Sequence, residues 1–395
     1  MKKLGILCSL IVAFLPAAFS QDSELYLSEA SGRLRQRHED RPNVVLITLD
    51  GFRWQELFEG ADSILLLNKR ATKDEHVANL YWNSRPEARR KMLMPFFWKE
   101  IASNGQLLGN RNFNSRVDCD NPHWFSYPGY NEMLTGFIDR RIKSNDKIAN
   151  PNMTVFEFIS QQKDYSNKVA AFGTWGVFPY IFREDTSNIF VNAGDDAAAG
   201  QISEREQLLN ELQLLLPNSV TERHDVFTAL FAMEYMKREH PKAVFIGLDE
   251  TDSYAHGGMY DQYLHAAHRS DELIKKIWMY IQSDPYYKDN TTLIITTDHG
   301  RGRGYRHDKM NWRSHGRLAF GSGEVWVAAI GPGVASLGEV KSSDKYTLSQ
   351  VASTLTAVLG IDYSSTKNVA PPIDCIAPKK NGAVASKQTG KTSLD

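Results

Sequence analysis

The sequence feature that most restricts the fold is a series of short apolar segments rich in β-branched residues, separated by longer stretches of helical periodicity. The apolar segments cover residues 43–49, 168–172, 243–248, 292–297 and 324–330. The main helical stretches cover residues 154–162, 223–239, 260–282 and 348–359. Apolar runs of this length are typical of parallel strands that are buried on both faces. Their alternation with helices predicts an α/β fold, a doubly wound and mostly parallel sheet with helices on both faces.

Three of the apolar segments are followed by side chains that can bind a metal ion. Asp50 closes the first segment, Asp252 and His256 follow the third, and Asp298 and His299 follow the fourth. In doubly wound sheets, ligands bind in the crevice at the carboxyl ends of the strands. We therefore predict that these residues meet at one edge of the sheet.

Each of these motifs taken alone has an ordinary structural explanation. Asp252 and His256 are four residues apart and share one face of a helical turn, but they could equally mark a solvated helix start. Asp298 and His299 could form a buried hydrogen-bonded pair, and Asp50 could cap a helix or a turn. Metal binding is indicated only by their combination.

A set of six carboxylate and imidazole side chains near strand ends is large enough to bind two neighbouring cations. It consists of Asp50, Asp252, His256, Asp298, His299 and His315. Carboxylate and imidazole ligands suit zinc, and also manganese or iron. The cofactor prediction is therefore two divalent metal ions, expected to be Zn²⁺.

Ser126 is the predicted catalytic nucleophile. It lies at the beginning of a short helical segment that ends before Gly136. The amino terminus of a helix favours negative charge, so it would stabilise both a serine alkoxide and a phosphoryl oxygen. The alternative is that Ser126 only caps this helix.

These motifs resemble the alkaline phosphatase superfamily, and within it most closely the nucleotide pyrophosphatase/phosphodiesterase branch. The resemblance covers most of the mature chain. It is carried by residues 44–53, 126–128, 134–136, 252–256, 297–300, 315–316 and 324–333. The order and spacing of these segments match the family throughout, which implies an alkaline-phosphatase-like fold.

The resemblance also implies roles for individual residues. One cation would be held by Asp252, His256 and His315. The other would be surrounded by Asp50, Ser126, Asp298 and His299. An asparagine about 20 residues after the nucleophile binds a phosphoryl oxygen in the family, and Asn150 is predicted to do so here, with Asn145 as the alternative.

The sequence departs from the diesterase branch at the nucleophile. Diesterases of this branch usually carry threonine followed by Phe-Pro-Asn-His, whereas this chain reads Ser-Tyr-Pro-Gly-Tyr over residues 126–130. Serine is competent and is used elsewhere in the superfamily. The predicted function is an exported phosphoric-ester hydrolase that acts through a phosphoserine intermediate, with the preference for monoesters or diesters left open.

The amino terminus predicts export. Two lysines precede an apolar stretch over residues 4–19 that ends in small residues, as in a signal peptide of about 20 residues. The mature protein is then secreted or periplasmic, with no membrane span. Export permits a disulfide between Cys119 and Cys375, and free thiols are equally compatible with the sequence.

The rest of the chain is predicted to form one catalytic domain over residues 40–365. Polar, irregular stretches near residues 59–90 and 188–221 are interpreted as insertions that shape the pocket, and residues 379–395 as a disordered tail. Lysine and arginine number 46 against 47 aspartate and glutamate residues, a net charge of −1, which does not favour nucleic acid. The expected partner is a small-molecule phosphate ester.

Three other functions fit parts of the pattern. A sulfatase shares the fold, and residues 126–128 match the start of its modification motif, Ser-x-Pro, but the arginine of that motif is replaced by Tyr130. A metal-dependent phosphosugar mutase uses a serine and two cations, although its substrates are cytoplasmic. A non-catalytic exported protein could keep the zinc site to brace its fold or bind a ligand.

Overall fold

The central strand of the protein, β1 (Asn43–Leu49), is buried along its whole length. The computed structural model describes residues 42–217, 222–304 and 311–377. The other strands are β2 (Gln106–Leu108), β3 (Arg116–Asp118), β4 (Val169–Gly173), β5 (Phe190–Ala193), β6 (Ala243–Leu248), β7 (Thr291–Thr296), β8 (Glu324–Val325), β9 (Val327–Ile330), β10 (Gly338–Glu339) and β11 (Lys345–Thr347).

The helices lie between these strands in the chain and vary widely in length. In chain order they are α1 (Trp54–Glu59), α2 (Ser63–Leu67), α3 (Val77–Tyr81), α4 (Pro86–Leu93), α5 (Ala102–Asn104), α6 (Ser126–Thr135), α7 (Val155–Ser160), α8 (Phe178–Ile181), α9 (Glu204–Leu215), α10 (Asp225–Glu239), α11 (Glu250–Gly257), α12 (Tyr260–Ser283) and α13 (Gln350–Val358). A π-helical turn, Phe97–Ile101, precedes α5. Among the described residues, no helix is both long and apolar enough to cross a membrane.

The main sheet has eight strands in the order β10-β2-β9-β7-β1-β6-β4-β5. Strand β1 pairs in parallel with β6 and β7, and β9 runs antiparallel to both of its neighbours. Val45 and Ile47 of β1 pack into one apolar core, whereas Val44 and Leu46 pack into a second core. Because side chains alternate across a strand, the two cores lie on opposite faces of the sheet. The predicted doubly wound, mostly parallel α/β fold is confirmed.

The single strand predicted over residues 324–330 is wrong. Strand β8 belongs to a separate three-stranded sheet in the order β11-β3-β8, and β9 belongs to the main sheet. Trp326 separates them, is fully buried, and donates from its indole nitrogen to the carbonyl of Phe52 at 3.0 Å. Burial of this large side chain fixes the point at which the chain passes from one sheet to the other.

The stretch 188–221, predicted to be an irregular insertion, contributes to the sheet itself. Strand β5 pairs in parallel with β4 at the edge, and helix α9 follows it. Buried Arg223 donates to the carbonyls of Gly173 at 2.9 Å and Asn192 at 3.0 Å, and so links the ends of these two strands. The other stretch, 59–90, contains helices α2, α3 and α4.

Several predictions made from the sequence concern residues outside the described ranges. The signal peptide over residues 1–20 and the tail over residues 379–395 both lie there. Cys119 and Cys375 are described, and both are free thiols. The sulfur of Cys119 is buried and lies 3.4 Å from the carbonyl oxygen of Asp298.

Candidate active site

Strands β1, β6 and β7 end side by side at one edge of the main sheet, and this edge carries the predicted residues. Asp50 follows β1 directly, and α11, which contains Asp252 and His256, begins two residues after β6. Asp298 and His299 follow β7. The parallel pairing of β1 with both neighbours therefore brings residues about 250 positions apart in the sequence to one place.

An inner group forms around His299 and is fully buried. The His299 Nε2 atom lies 3.3 Å from Asp50 Oδ1 and 3.4 Å from Asp298 Oδ2. Its other ring nitrogen, Nδ1, is 2.8 Å from the carbonyl oxygen of Gly300, which directs Nε2 toward the carboxylates. Ser126 Oγ is 3.4 Å from the same Nε2 atom. The predicted nucleophile therefore lies against the inner group.

An outer group, consisting of Asp252, His256 and His315, lies next to the inner one. His256 Nε2 is 2.8 Å from His315 Nε2 and 3.1 Å from Asp252 Oδ2. Asp252 Oδ1 is 4.0 Å from His299 Nε2, which joins the two groups. The His256 side chain is 49% exposed, whereas the side chains of Asp252 and His315 are 12% and 13% exposed.

The electrostatics of the inner group suit a divalent cation. Burial raises the pKa of Asp50, and it holds the pKa of Asp298 well above its usual range. Burial alone would lower the pKa of His299, but the Asp298 and Asp50 carboxylates raise it to about 9. Asp50 Oδ1 and Asp298 Oδ2 are buried and accept no hydrogen bond from any described residue. A cation among these atoms would supply the positive charge and the ligand bonds that the carboxylates lack.

The two groups together have the donor chemistry of a pair of metal sites. Ligand atoms of Asp252, His299 and His315 lie within 4.8 Å of one another, and so do those of Asp50, Asp298 and His299. Carboxylate oxygen and imidazole nitrogen are common zinc ligands. The residues present therefore fit the predicted cations.

Helix α6 begins at Ser126 and lies directly against the end of β7. A Cβ atom on Gly129 would lie 2.4 Å from the carbonyl oxygen of Asp298, so no other residue fits without moving the helix. Trp124, two residues before Ser126, has a φ of 52°, a conformation that is uncommon outside glycine. Close packing and this fixed turn together determine where the serine oxygen lies.

Glu132 of α6 anchors the loop that leads to the predicted nucleophile. Its buried carboxylate accepts the backbone N–H groups of Asp120 at 2.9 Å, Asn121 at 2.8 Å and Ser349 at 3.1 Å. The amide of Asn121 also donates to it at 2.8 Å. Asn121 Oδ1 in turn accepts the N–H of Trp124 at 3.0 Å. One carboxylate thus holds the loop, the helix and a distant segment together.

We expect Glu132→Ala to destabilise the fold by about 3 kcal/mol or more, because several buried donors lose a charged acceptor at once. Urea unfolding monitored by circular dichroism measures this change. The control is Glu211→Ala on an exposed face of α9, which is expected to change stability by less than about 0.5 kcal/mol. Equal effects of the two substitutions would contradict the anchoring role of Glu132.

The two asparagines proposed to bind a phosphoryl oxygen lie in different environments. Asn145 is exposed, and its Oδ1 accepts the backbone N–H of Tyr127 at 3.0 Å, beside the nucleophile. Asn150 is buried, and its Oδ1 accepts the backbone N–H of Asn152 at 3.0 Å. Its Nδ2 atom has no partner among the described residues. The structure brings Asn145, the alternative, against the turn that carries Ser126.

Two residues of the site were missed from the sequence. Tyr130 is one turn after Ser126 on α6, and its hydroxyl donates to Asp50 Oδ2 at 3.1 Å. The i, i+4 spacing from the nucleophile was the available signal. Arg301 is buried and bonds Asp252 Oδ1. Its position two residues after His299 could have indicated a role, although a single arginine in a loop carries little information.

One segment of the chain matches the model of a known protein family. Residues 217–363 match the model of the Metalloenzyme superfamily. The matched segment contains five of the predicted ligands: Asp252, His256, Asp298, His299 and His315. A 2,3-bisphosphoglycerate-independent phosphoglycerate mutase from Gracilaria tenuistipitata var. liui is 30% identical over 113 residues, which are 27% of this chain and 21% of that protein. The match therefore spans about a fifth of the length of this curated relative.

Solved structures of low sequence identity share the fold. The alkaline phosphatase PafA is 10% identical with a TM-score of 0.56, and the alignment covers 85% of this chain and 99% of PafA. A putative sulfatase from Bacteroides thetaiotaomicron VPI-5482 is 12% identical with a TM-score of 0.51, and the alignment covers 84% of this chain and 73% of the sulfatase. At such low identities these similarities show the fold of the chain and do not indicate its substrate.

Proposed function

Because this chain has the fold of the alkaline phosphatase superfamily, with a segment that matches the Metalloenzyme superfamily, we propose that it is a two-metal hydrolase of phosphate esters. Ser126 is the nucleophile, and the two cations are zinc. The sequence of the first 20 residues supports export to the periplasm or the medium. The substrate is a small molecule, either a phosphomonoester or a phosphodiester.

One observation carries this proposal. Ser126 Oγ lies 3.4 Å from His299 Nε2, inside a cluster of carboxylates and imidazoles that converge from distant parts of the chain. A serine that only capped its helix would occupy the N-cap position, whereas here Phe125 is the N-cap residue and Ser126 is the first residue of α6. Ser126 therefore does not hold the capping position.

The chemistry assigns a task to each part of the site. Zinc ions held by the inner and outer groups would stabilise charge on the phosphoryl oxygens and favour the deprotonated form of the serine. Ser126 Oγ attacks phosphorus as its proton is lost, the bond from phosphorus to the leaving alcohol breaks, and the alcohol oxygen gains a proton. Water then attacks the phosphoserine, the bond to Oγ breaks, and Ser126 regains its proton. The start of α6 favours the negative charge that develops at Oγ.

Other side chains position the reacting groups. The Tyr130 hydroxyl bonds Asp50 Oδ2 and so orients that carboxylate. Asn145 lies beside Ser126, and its amide nitrogen is a suitable donor to a phosphoryl oxygen. Such an orienting shell is needed because small displacements of a ligand or a donor reduce catalysis strongly.

The sulfatase alternative is disfavoured by the residue at position 130. The arginine of the sulfatase modification motif is absent, and Tyr130 bonds the inner carboxylate instead. Conversion of Ser126 to an aldehyde is therefore not expected. Mass spectrometry of the peptide that contains Ser126 should show unmodified serine.

A phosphomutase is the alternative that the short match to a phosphoglycerate mutase favours. A mutase returns the phosphoryl group to another hydroxyl of its substrate, whereas a hydrolase transfers it to water. Release of inorganic phosphate or of a free phosphomonoester distinguishes the two. Accumulated phosphoserine with an isomerised sugar phosphate, and little free phosphate, would favour the mutase.

The experiment that tests the proposed function compares three substrates of the zinc-loaded protein: p-nitrophenyl phosphate, bis-p-nitrophenyl phosphate and p-nitrophenyl sulfate. We expect turnover of at least one phosphate ester at a kcat/KM about 100-fold or more above that of the sulfate, a difference of about 2.7 kcal/mol in transition-state binding. The ratio of monoester to diester rates identifies the preferred class. Faster turnover of the sulfate would overturn the assignment.

A further inference from the structure

Arg301 is a buried arginine that contacts the outer metal group without belonging to it. Its Nη1 atom bonds Asp252 Oδ1, and its side chain has no exposed surface. Gly51 leaves room for this contact, because a Cβ atom at that position would lie 2.6 Å from Asp252 Oδ1 and 2.7 Å from Arg301 Nη1. The φ of Gly51 is 58°, which also favours glycine. The backbone conformation of Gly51 and its lack of a side chain thus leave space for the Arg301 guanidinium beside Asp252.

The remaining donors of Arg301 bind the loop that carries His315. Its Nε atom donates to the carbonyl of Trp312 at 2.9 Å, and its Nη2 atom donates to the carbonyl of Arg313 at 2.5 Å. Arg313 is two residues before His315 in the sequence. A single guanidinium therefore connects the helix of one outer ligand to the loop of another.

The third outer ligand is reached through the same loop. The Nη2 atom of Arg313 donates to the backbone carbonyl of His256 at 3.2 Å. Arg301 thus contacts Asp252 directly, holds the loop of His315, and reaches His256 through one further residue. In the described part of the chain, the hydrogen bonds of Arg301 go to Asp252, Trp312 and Arg313 and to none of the inner ligands.

We propose that Arg301 is the positioning residue of the outer metal site and that its three-point contact sets the affinity of that site. Arg301 bonds Oδ1 of Asp252, the oxygen that lies 3.8 Å from His315 Nε2, whereas Oδ2 lies 3.1 Å from His256 Nε2, so Arg301 fixes the orientation of the carboxylate between the two imidazoles. This assignment rests on the proposed function, since it presumes that the outer group holds a metal. Because the outer group includes the half-exposed side chain of His256 and the inner group is fully buried, we expect the outer cation to exchange more readily than the inner one.

The test compares Arg301→Lys with the wild-type chain by zinc titration against a competing chelator and by elemental analysis of bound zinc. Lysine keeps the charge but cannot bond three acceptors that are arranged for a planar fork. We expect the weaker of the two zinc dissociation constants to rise by about 10- to 100-fold, and the tighter one to stay within about 3-fold, well under the roughly 1.4 kcal/mol that a tenfold change represents. At limiting zinc the variant should lose activity, and excess zinc should restore it.

Arg303→Lys is the matched control, because Arg303 lies two residues away and pairs with Glu324 on an exposed face. It should leave both dissociation constants unchanged. If both zinc dissociation constants of Arg301→Lys equal those of the wild-type chain, the proposed role of Arg301 is overturned. A variant that unfolds and retains neither ion would also overturn it, since the residue would then support the fold and not one site. Failure of the wild-type chain to bind zinc would instead contradict the proposed function itself.

Discussion

Replacement of Ser126 by alanine is expected to lower kcat for phosphate ester hydrolysis by about 10³-fold or more, because covalent catalysis loses its only attacking oxygen. The side chain of Ser126 is almost fully buried, so alanine fits the same space. The inner carboxylates and His299 remain in place, and zinc content should stay at the wild-type value. Initial rates measured together with elemental analysis test both expectations.

Ser126→Thr is the control for this substitution, since it keeps a hydroxyl group at the same position. It should retain much more activity than Ser126→Ala if the hydroxyl is the nucleophile. An alanine variant that turns over phosphate esters at the wild-type rate would show that Ser126 only begins its helix. Loss of both activity and zinc would show a structural role.

Asp298→Asn is expected to weaken binding of the inner cation by at least about 100-fold, more than is usual for loss of an outer-shell partner. Asp298 Oδ1 accepts the N–H of Gly51 at 3.1 Å, and Oδ2 is the oxygen without a hydrogen bond. Asparagine preserves the shape and removes the negative charge. We expect one zinc per chain instead of two, together with loss of turnover.

Asp271→Asn provides the matched control for replacing a buried aspartate. Asp271 lies on α12, is not one of the predicted ligands, and accepts the backbone N–H groups of Phe96 and Phe97, each at 2.7 Å. This substitution should reduce stability but leave two zinc ions bound. A loss of zinc in the control as large as that in Asp298→Asn would indicate a general effect of buried charge.

Five members of the predicted ligand set, Asp50, Asp252, His256, Asp298 and His299, could be expected to meet because they follow strands that end at one edge. Once the runs before Asp50, Asp252 and Asp298 are recognised as parallel strands, sheet geometry brings their ends together. His315 follows no strand of the main sheet; it was included in the set as an imidazole near a strand, and the resemblance to a family implied which cation it would hold. The helix that begins at Ser126 was also predicted from the sequence, and it ends at Thr135, before Gly136, as expected.

The parts that could not be predicted depend on contacts between distant side chains. Strand β5 is four residues long and gains its place by pairing with β4, which no local pattern reveals. The break at Trp326 follows from burial of one ring. The contact of Arg301 with Asp252 joins two segments 49 residues apart and needs Gly51 to admit it. Asn145 and Asn150 both fit a spacing of about 20 residues after Ser126, and only the folded loop shows that Asn145 bonds the backbone N–H of Tyr127, next to the nucleophile.

The most direct test of the central claim is a crystal structure of the zinc-soaked protein with anomalous diffraction data collected on both sides of the zinc absorption edge. We predict two anomalous peaks, one bound by Asp50, Asp298 and His299 and the other by Asp252, His256 and His315. Ligand distances should be about 2.0–2.2 Å, with Ser126 Oγ directed at the inner ion. The absence of both peaks from this edge of the sheet, or a serine oxygen directed away from them, would contradict the account.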